Sequence, residues 1–202
     1  MKSNLKNAHF LLSEADPRQI EPSRSETAFV GRSNCGKSSV LNALCHQKKI
    51  ARVSQTPGRT RTINVYETGH LTWLVDLPGY GFAVGPIESR QAWSDMIEGY
   101  LTGRPSLRCV FLIVDAKVGA TPLDQKMAHW LRVQALPFRV LANKADQVRA
   151  SRQSAQRQQI ASALHIDARE IAWISAREGD GIQTLRQDVI ALLDRPSEKG
   201  SD

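Results

Sequence analysis

The sequence predicts an α/β fold in which a mostly parallel sheet is covered by helices on both faces. Short apolar runs alternate with longer amphipathic segments along the chain, as they do in parallel α/β proteins. A glycine-rich turn lies between the first central strand and the first helix, which is where such folds bind phosphate. The chain has 202 residues, of which 41% are apolar, and this is enough for the core of a single domain.

Residue spacing places the individual elements. Apolar runs bounded by turn residues predict strands at 27–30, 62–68, 71–76, 109–114, 138–142 and 171–174. Apolar residues at helical spacing predict helices at 38–44, 86–101, 148–164 and 181–193, with a further helix opening at Thr121-Pro122-Leu123. Gly69 and His70 predict a tight hairpin, and residues 46–61 a polar loop. We expect one domain at 9–194, with flexible ends at 1–8 and 195–202.

The composition indicates a cytoplasmic chain without a membrane segment. The apolar patch near the amino terminus is too short for a signal peptide, and the longest apolar run, residues 109–114, cannot span a bilayer. Cys35, Cys45 and Cys109 form no C-x-x-C pair, so neither a disulfide framework nor a zinc site is expected. No heptad or large apolar motif is visible, and we expect a monomer.

The net charge of +7 is concentrated in one part of the chain. Residues 27–66 contain seven Lys or Arg and no acidic residue, whereas the remainder carries 20 basic and 20 acidic residues. A nucleotide triphosphate accounts for part of this excess. Lys48, Lys49 and Arg52 lie beyond its expected reach and suggest a second polyanion such as RNA. A solvated basic loop is the alternative.

The strongest local signal is the octapeptide at 31–38, which fits the phosphate-binding pattern G-x-x-x-x-G-K-[ST]. Its glycines let backbone N–H groups turn towards phosphate oxygens, and the N-terminus of the following helix attracts the same negative charge. Lys37 is expected to reach the β- and γ-phosphates, and the Ser38 hydroxyl to bind Mg²⁺. An ordinary glycine-rich turn is the alternative. The predicted phosphate contacts are Gly31, Arg32, Ser33, Asn34, Cys35, Gly36, Lys37 and Ser38.

A second signal, Asp76-Leu77-Pro78-Gly79, ends an apolar strand. The Asp76 carboxylate can hold an Mg²⁺-bound water, and the Gly79 N–H can contact the γ-phosphate. The pattern D-x-x-G is weak by itself, but after a phosphate loop it predicts a nucleotide switch that includes Leu77 and Pro78.

A third signal, Asn143-Lys144-Ala145-Asp146, specifies the base. Asp146 can accept the N1–H and amino hydrogens of guanine, whereas adenine would leave a buried carboxylate unpaired. The Lys144 stem can lie across the base, and Asn143 can connect this loop to the phosphate loop. The strand end expected to offer a backbone N–H to the guanine carbonyl oxygen consists of Ile174, Ser175 and Ala176. Since all these motifs lie at strand ends, the sequence predicts a GTP/GDP site.

Together these motifs resemble the EngB (YihA/YsxC) family of bacterial translation-factor-related GTPases. The resemblance covers residues 8–194, and its most specific parts are T-P-G-R-T at 56–60 and D-L-P-G-Y-G at 76–81. Cys35 stands where the family usually has Ala or Val, and Asn143 where Thr is frequent. The resemblance implies a three-layer P-loop GTPase fold with six strands, of which one, the second of the hairpin pair, is antiparallel. It also implies that Thr60 is the second Mg²⁺ ligand. The segment expected to close over the nucleotide consists of Gly58, Arg59, Thr60, Arg61 and Thr62.

The activity implied by the resemblance is slow GTP hydrolysis by a switch in large (50S) ribosomal subunit assembly, needed for normal cell division and septation. Its partners would be rRNA and ribosomal proteins. A GTP-dependent regulator of a protein partner, without ribosome contact, is the alternative.

The rate of hydrolysis depends on the residue after Gly79. Many GTPases have a glutamine there that orients the attacking water, but this chain has Tyr80. Related enzymes with an asparagine at the position of Asn34 recruit K⁺ in place of an arginine finger. The alternative for Asn34 is a loop residue that hydrogen-bonds its own backbone. We expect K⁺ or a ribosomal partner to accelerate hydrolysis, and the predicted catalytic residues are Lys37, Thr60, Gly79 and Asn34.

Overall fold

The computed structural model of the chain describes residues 3–51, 62–81 and 87–196. Within these residues a sheet of seven strands is covered by five α-helices, so the predicted α/β class is confirmed. The strands are β1 (His9–Glu14), β2 (Ser25–Gly31), β3 (Ile63–Gly69), β4 (Thr72–Asp76), β5 (Leu107–Asp115), β6 (Phe138–Asn143) and β7 (Ala172–Trp173). The helices are α1 (Lys37–Leu44), α2 (Ile87–Thr102), α3 (Pro122–Val133), α4 (Ala150–Leu164) and α5 (Ile182–Leu193).

The strand order is β1-β3-β4-β2-β5-β6-β7. β2 pairs in parallel with β4 and β5, and the parallel ladder continues through β6 to β7. β3 runs antiparallel to both of its neighbours, β1 and β4. The carboxyl ends of β2, β4, β5 and β6 therefore meet at one edge of the sheet, which is the edge where open α/β folds bind ligands.

Two expected details of the sheet are wrong. The resemblance implied six strands, but the described residues form seven, because residues 9–14 pair with β3. It also implied that the second strand of the hairpin is antiparallel to the sheet, whereas the first, β3, is. The reason is geometric: β4 must run parallel to β2 for Asp76, which pairs with Phe29, to end beside the phosphate loop.

The central strands are buried on both faces. One face packs against α1 and α5, and there the rings of Phe29 and Phe111 stack with their centroids 5.1 Å apart. The other face packs against α2, α3 and α4. All seven residues of β2 are buried, as a strand covered on both faces requires. None of the helices within the described ranges has both the length and the apolar character needed to cross a bilayer.

The amino-terminal residues pack against the domain, contrary to the expected flexible segment 1–8. Leu5 lies in a short 3-10 helix, Leu5–Asn7, and is only 1% exposed. The Asn4 N–H donates to the carbonyl oxygen of Thr68 in β3 (3.1 Å). The Ser3 N–H and hydroxyl both donate to the carboxylate of Asp194, at 2.9 and 2.6 Å. Residues 3–8 are therefore part of the packed domain, because apolar and polar contacts fix them to both β3 and the end of α5.

Candidate functional site

The phosphate loop predicted at 31–38 joins β2 to α1, the context that its pattern requires. Gly36 is the N-cap of α1 and has φ +91°, a left-handed conformation that glycine adopts without strain. It has no side chain to cap the first turn, so the N–H groups of that turn receive no hydrogen bond from the N-cap side chain. A Cβ on Gly36 would lie 2.3 Å from Asn143 Nδ2. Only a bare backbone fits here, as close contact with an anion demands.

Cys35 packs beneath this loop. Its side chain is buried, and burial raises the pKa of the thiol to about 11. The Cys35 N–H donates to the Arg32 carbonyl oxygen (3.1 Å), which closes the turn. A Cβ on Gly31 would lie 2.7 Å from both the Cys35 sulfur and the Ile113 carbonyl oxygen. Cys35 therefore acts as a small neutral core residue, and Gly31 leaves the room that it needs.

Lys37 and Asp76 form an ion pair that joins the start of α1 to the end of β4. Their side chains are only 11% and 7% exposed. The pair places an ammonium suited to phosphate oxygens beside a carboxylate suited to a metal-bound water, with Ser38 next in the first turn of α1. Carboxylate and hydroxyl oxygens are the hard ligands that Mg²⁺ prefers, so the donor set fits the predicted ion.

The residues after Asp76 continue alongside the phosphate loop. The Leu77 N–H donates to the Phe29 carbonyl oxygen (3.1 Å). The Tyr80 N–H donates to the Gly31 carbonyl oxygen (3.2 Å), and the Ser33 N–H donates to the Tyr80 carbonyl oxygen (3.0 Å). Gly79 lies between these bonds, and a Cβ on it would approach the Ser33 hydroxyl to 3.1 Å. The D-x-x-G segment is thus held directly on the loop that it was predicted to serve.

Tyr80 points its side chain into the core rather than across the phosphate loop. Its hydroxyl donates to Asp124 Oδ1 (2.6 Å), and its ring contacts Trp93 edge to face. Burial, followed by the nearby Asp124 carboxylate, raises the pKa of Tyr80 well above its usual value. Asp124 also caps α3 by accepting from the N–H and hydroxyl of Thr121, at 2.8 and 2.6 Å. Tyr80 therefore has a packing role, and it supplies no amide for a water.

Asn143 connects the predicted base loop to the phosphate loop, as the sequence analysis expected. Its Nδ2 donates to the Cys35 carbonyl oxygen (3.0 Å), and its Oδ1 accepts from the Ala176 N–H (3.1 Å). The side chain is 2% exposed. One amide therefore joins three segments that are far apart in the sequence.

Lys144 extends from the same loop to an acidic residue that the sequence analysis missed. Its Nζ donates to the Asn34 carbonyl oxygen and to Asp115 Oδ2, both at 2.6 Å. Asp115 ends β5 and is 7% exposed. An acidic residue at the carboxyl end of a central strand is the signal that could have found it. No hydrogen bond from the Asn34 side chain to its own backbone occurs among the described residues.

Asp146 is oriented by the strand end that follows β7. The Ser175 hydroxyl donates to Asp146 Oδ1 (2.6 Å), and the Ala145 N–H donates to the Ile174 carbonyl oxygen (3.0 Å). The Ser175 N–H is bonded to the Asp180 carbonyl oxygen (3.0 Å). The predicted base contacts at 143–146 and 174–176 are therefore brought together at one place. The expected free N–H is not found at this strand end, because the N–H groups of Ile174, Ser175 and Ala176 are all bonded within the protein.

Four of the predicted contacts, Gly58, Arg59, Thr60 and Arg61, lie outside the described residues, and their roles stay predictions. Thr62 is described, and its hydroxyl accepts from the Ser13 hydroxyl (2.8 Å). This bond attaches the start of β3 to the edge strand β1.

Comparisons with known proteins agree with this geometry. The family model described as a 50S ribosome-binding GTPase matches residues 26–144. The chain is 41% identical over 202 residues to the probable GTP-binding protein EngB of Geobacter sulfurreducens, covering 98% of each chain. It is 40% identical over 193 residues to the probable GTP-binding protein EngB of Pelotomaculum thermopropionicum, covering 95% of this chain and 96% of that one.

Solved structures share the fold. A crystal structure of a probable GTP-binding protein EngB superposes with a TM-score of 0.68 at 27% identity, covering 84% of this chain and 98% of that chain. Era in complex with MgGDPNP and a fragment of 16S ribosomal RNA superposes with a TM-score of 0.65 at 22% identity, covering 90% of this chain and 60% of that chain.

Proposed function

Because the chain belongs to the EngB family of GTP-binding proteins and is a GTPase, we propose that it is a nucleotide-dependent switch in assembly of the large (50S) ribosomal subunit. In this proposal its GTP form docks on a maturing particle in the cytoplasm, and its GDP form leaves. The cycle is needed for normal cell division and septation. The description of the matching family model as 50S ribosome-binding supports this choice.

The contacts around the site support the following nucleotide roles. Lys37 binds the β- and γ-phosphates, the Gly79 N–H contacts the γ-phosphate, and Asp146 reads guanine. Ser38, Thr60 and, through a water, Asp76 would hold Mg²⁺. When bound, this ion would neutralise charge on the phosphate oxygens.

Hydrolysis is slow in this proposal because Tyr80 stands after Gly79, where many GTPases have a glutamine that orients the attacking water. The Tyr80 hydroxyl donates to the buried Asp124 carboxylate, so its proton is already engaged within the protein. K⁺ near Asn34, or a group supplied by the ribosomal particle, provides the missing acceleration.

The observation that carries the ribosomal assignment is a basic patch, defined here as Lys6, His46, Lys48, Lys49 and Arg186. Three distant segments meet in it. Arg186 of α5 donates from Nε to the Leu44 carbonyl oxygen (2.8 Å) at the end of α1. Lys6 is fixed nearby, since Gln47 Nε2 donates to its carbonyl oxygen (3.2 Å). The positive charge of Arg186 is the main cause that lowers the pKa of His46. Partial desolvation and the positive charge of Lys6 lower it further.

This basic patch has no acidic partner among the described residues: none of its five groups belongs to a salt bridge there. Uncompensated cations assembled from separate elements favour a polyanion such as the rRNA backbone over an apolar protein surface. The patch adjoins Ile50 and Ala51, which precede the segment at 58–62 that is expected to close over the nucleotide. Nucleotide state and RNA contact can therefore influence each other.

The test is co-sedimentation with isolated large ribosomal subunits across a salt series, comparing a non-hydrolysable GTP analogue with GDP. The protein should pellet only with the GTP analogue, and salt should release it. Lys48→Glu/Lys49→Glu should weaken binding and reduce the salt slope by about one per lost phosphate contact. Lys126→Glu/Arg152→Glu makes the same charge change on exposed helix positions outside the patch and should pellet normally.

Two outcomes would overturn the proposal. Absence of the protein from the pellet in both nucleotide states would remove the ribosomal assignment. Salt-resistant binding that the patch substitutions leave intact would instead favour a protein partner, the alternative function, with no role for RNA contact.

A further inference from the structure

Asp115 contacts the predicted guanine loop without belonging to any of the motifs that identify the site. It is the last residue of β5, and it pairs in the parallel ladder with Asn143, the residue before Lys144. Its Oδ2 accepts from Lys144 Nζ at 2.6 Å, and the same Nζ donates to the Asn34 carbonyl oxygen at 2.6 Å. The ammonium therefore joins the carboxyl end of β5, the base loop and the phosphate loop.

The Asp115 carboxylate is itself fixed. Its second oxygen, Oδ1, accepts from the N–H groups of Lys117 (2.9 Å) and Val118 (3.2 Å). Gln156 of α4 holds the same turn by donating from Nε2 to the Ala116 carbonyl oxygen (2.9 Å). Because one oxygen is occupied by the backbone, the other is held in a single direction, towards Lys144.

Lys144 needs such a partner. Its backbone is left-handed, with φ +67°, and so is that of Asn34, with φ +67°. Neither is a glycine, so each conformation requires support from its surroundings. A lysine stem also has four freely rotating bonds, and holding it in one arrangement costs conformational entropy. The two acceptors at 2.6 Å fix the ammonium of this side chain, which is 27% exposed, and so align the stem.

We propose that Asp115 is a positioning residue for guanine-nucleotide binding, which holds the Lys144 stem in the orientation that lies across the base and locks it to the Asn34 carbonyl. The inference rests on the assigned nucleotide site, not on ribosome docking. It assigns to the end of β5 a part in base recognition beside the loops at 143–146 and 174–176.

Asp115→Asn separates the two contacts of this carboxylate, the one with the turn at Lys117 and Val118 and the one with Lys144. An asparagine oxygen can still accept from the N–H groups of Lys117 and Val118, so the turn is retained. Its amide nitrogen would then face the Lys144 ammonium, donor against donor, and the charge pair is lost. We expect GDP affinity, measured with a fluorescent GDP, to fall about 10- to 100-fold, as losing a hydrogen bond to a charged group implies. The thermal midpoint should fall by less than in Tyr80→Phe, because the Lys144 side chain is partly exposed and its ammonium can turn to water.

A double-mutant cycle with Lys144→Ala tests the pathway. Once Lys144 is removed, Asp115→Asn should have no further effect on GDP affinity. If the two losses multiply instead, Asp115 acts independently of Lys144 and the inference is wrong. The inference would also be contradicted if the Asp115→Asn variant bound GDP as tightly as the wild type. The matched control is Asp188→Asn. Asp188 is a carboxylate on α5 that pairs with Arg139, and this variant should bind GDP normally.

Two further arms keep the result interpretable. If Asp115→Asn does not fold, Asp115→Ser retains a short acceptor for the turn and loses the contact with Lys144, and the same cycle is run with it. If Lys144→Ala alone binds GDP like the wild type, the base loop is wrongly assigned and the inference falls with it. Since no ribosome is present in these titrations, failure of the ribosomal proposal leaves their outcome unchanged.

Discussion

Asn143 offers the sharpest test of how the site is assembled, because a single amide links its parts. In Asn143→Ala two buried hydrogen bonds are lost, one to the Cys35 carbonyl oxygen at 3.0 Å and one from the Ala176 N–H at 3.1 Å. At about 1 kcal/mol each, the free energy of unfolding should fall by about 2 kcal/mol. For a domain of this size that corresponds to a thermal midpoint lowered by roughly 4–8 °C.

Asn143→Asp should lower both stability and nucleotide affinity more than Asn143→Ala does, although it changes fewer atoms. The new oxygen would face the Cys35 carbonyl oxygen, acceptor against acceptor, in a position where the native side chain is 2% exposed. Burial raises the pKa of such a carboxyl group, so it becomes protonated as the pH falls. The protonated form can donate to the Cys35 carbonyl oxygen. The introduced defect should therefore be partly relieved at acidic pH.

The measurement is thermal unfolding and fluorescent-GDP titration of both variants at several pH values. Nucleotide affinity should fall at least tenfold in Asn143→Ala and further in Asn143→Asp at neutral pH. A variant carrying Asp at this position that melts and binds GDP like the wild type would refute the reasoning, because the amide would then not be joining the two loops.

Three further predictions use the same site and its surroundings. Asp146→Asn should shift preference from guanine to xanthine nucleotides, because one acceptor becomes a donor; competition titrations with GDP and XDP measure this, and unchanged guanine preference would exclude the base-reading role. Tyr80→Phe removes a donor to the buried Asp124 carboxylate and should cost about 2 kcal/mol, or roughly 4–8 °C by calorimetry; an unaltered melting curve would show that the bond contributes nothing. Ribosomal binding should strengthen as the pH falls from 7.5 to 6, because phosphates favour protonated His46, whose pKa Arg186 and Lys6 lower in the free protein; His46→Gln should lose this dependence.

The sequence predicts the order and type of the elements because their patterns are strong. Each predicted strand and helix is present, with ends displaced by at most two residues. β1 escapes prediction because it is an edge strand whose first three residues are exposed, including Phe10 and Leu11, so it shows no clear alternation. The direction of β3 also cannot be read from local pattern, since it depends on which hairpin strand pairs with β2.

The site shows the same division between local pattern and tertiary contact. Glycine spacing identifies the phosphate loop because the reason for each glycine is local: Gly36 adopts a positive φ, and a Cβ there would meet Asn143. Asp115 and Asp124 have no such motif. Asp115 acts on Lys144, 29 residues away, and Asp124 on Tyr80, 44 residues away. Their partners are chosen by strand order and helix placement, which only the folded chain provides.

These contacts divide the site into a fixed half and an exchangeable half. On the base side, Asn143 and Lys144 donate to backbone carbonyl oxygens of the phosphate loop, and Asp146 accepts from Ser175, so these side chains are held in place by the protein itself. On the phosphate side, Lys37 and Asp76 are bonded to each other. A triphosphate that takes Lys37 leaves a nearly buried carboxylate that requires a new cationic partner. We therefore expect base recognition to contribute alike to GTP and GDP binding, and the Lys37–Asp76 pair to make triphosphate binding depend on a second cation.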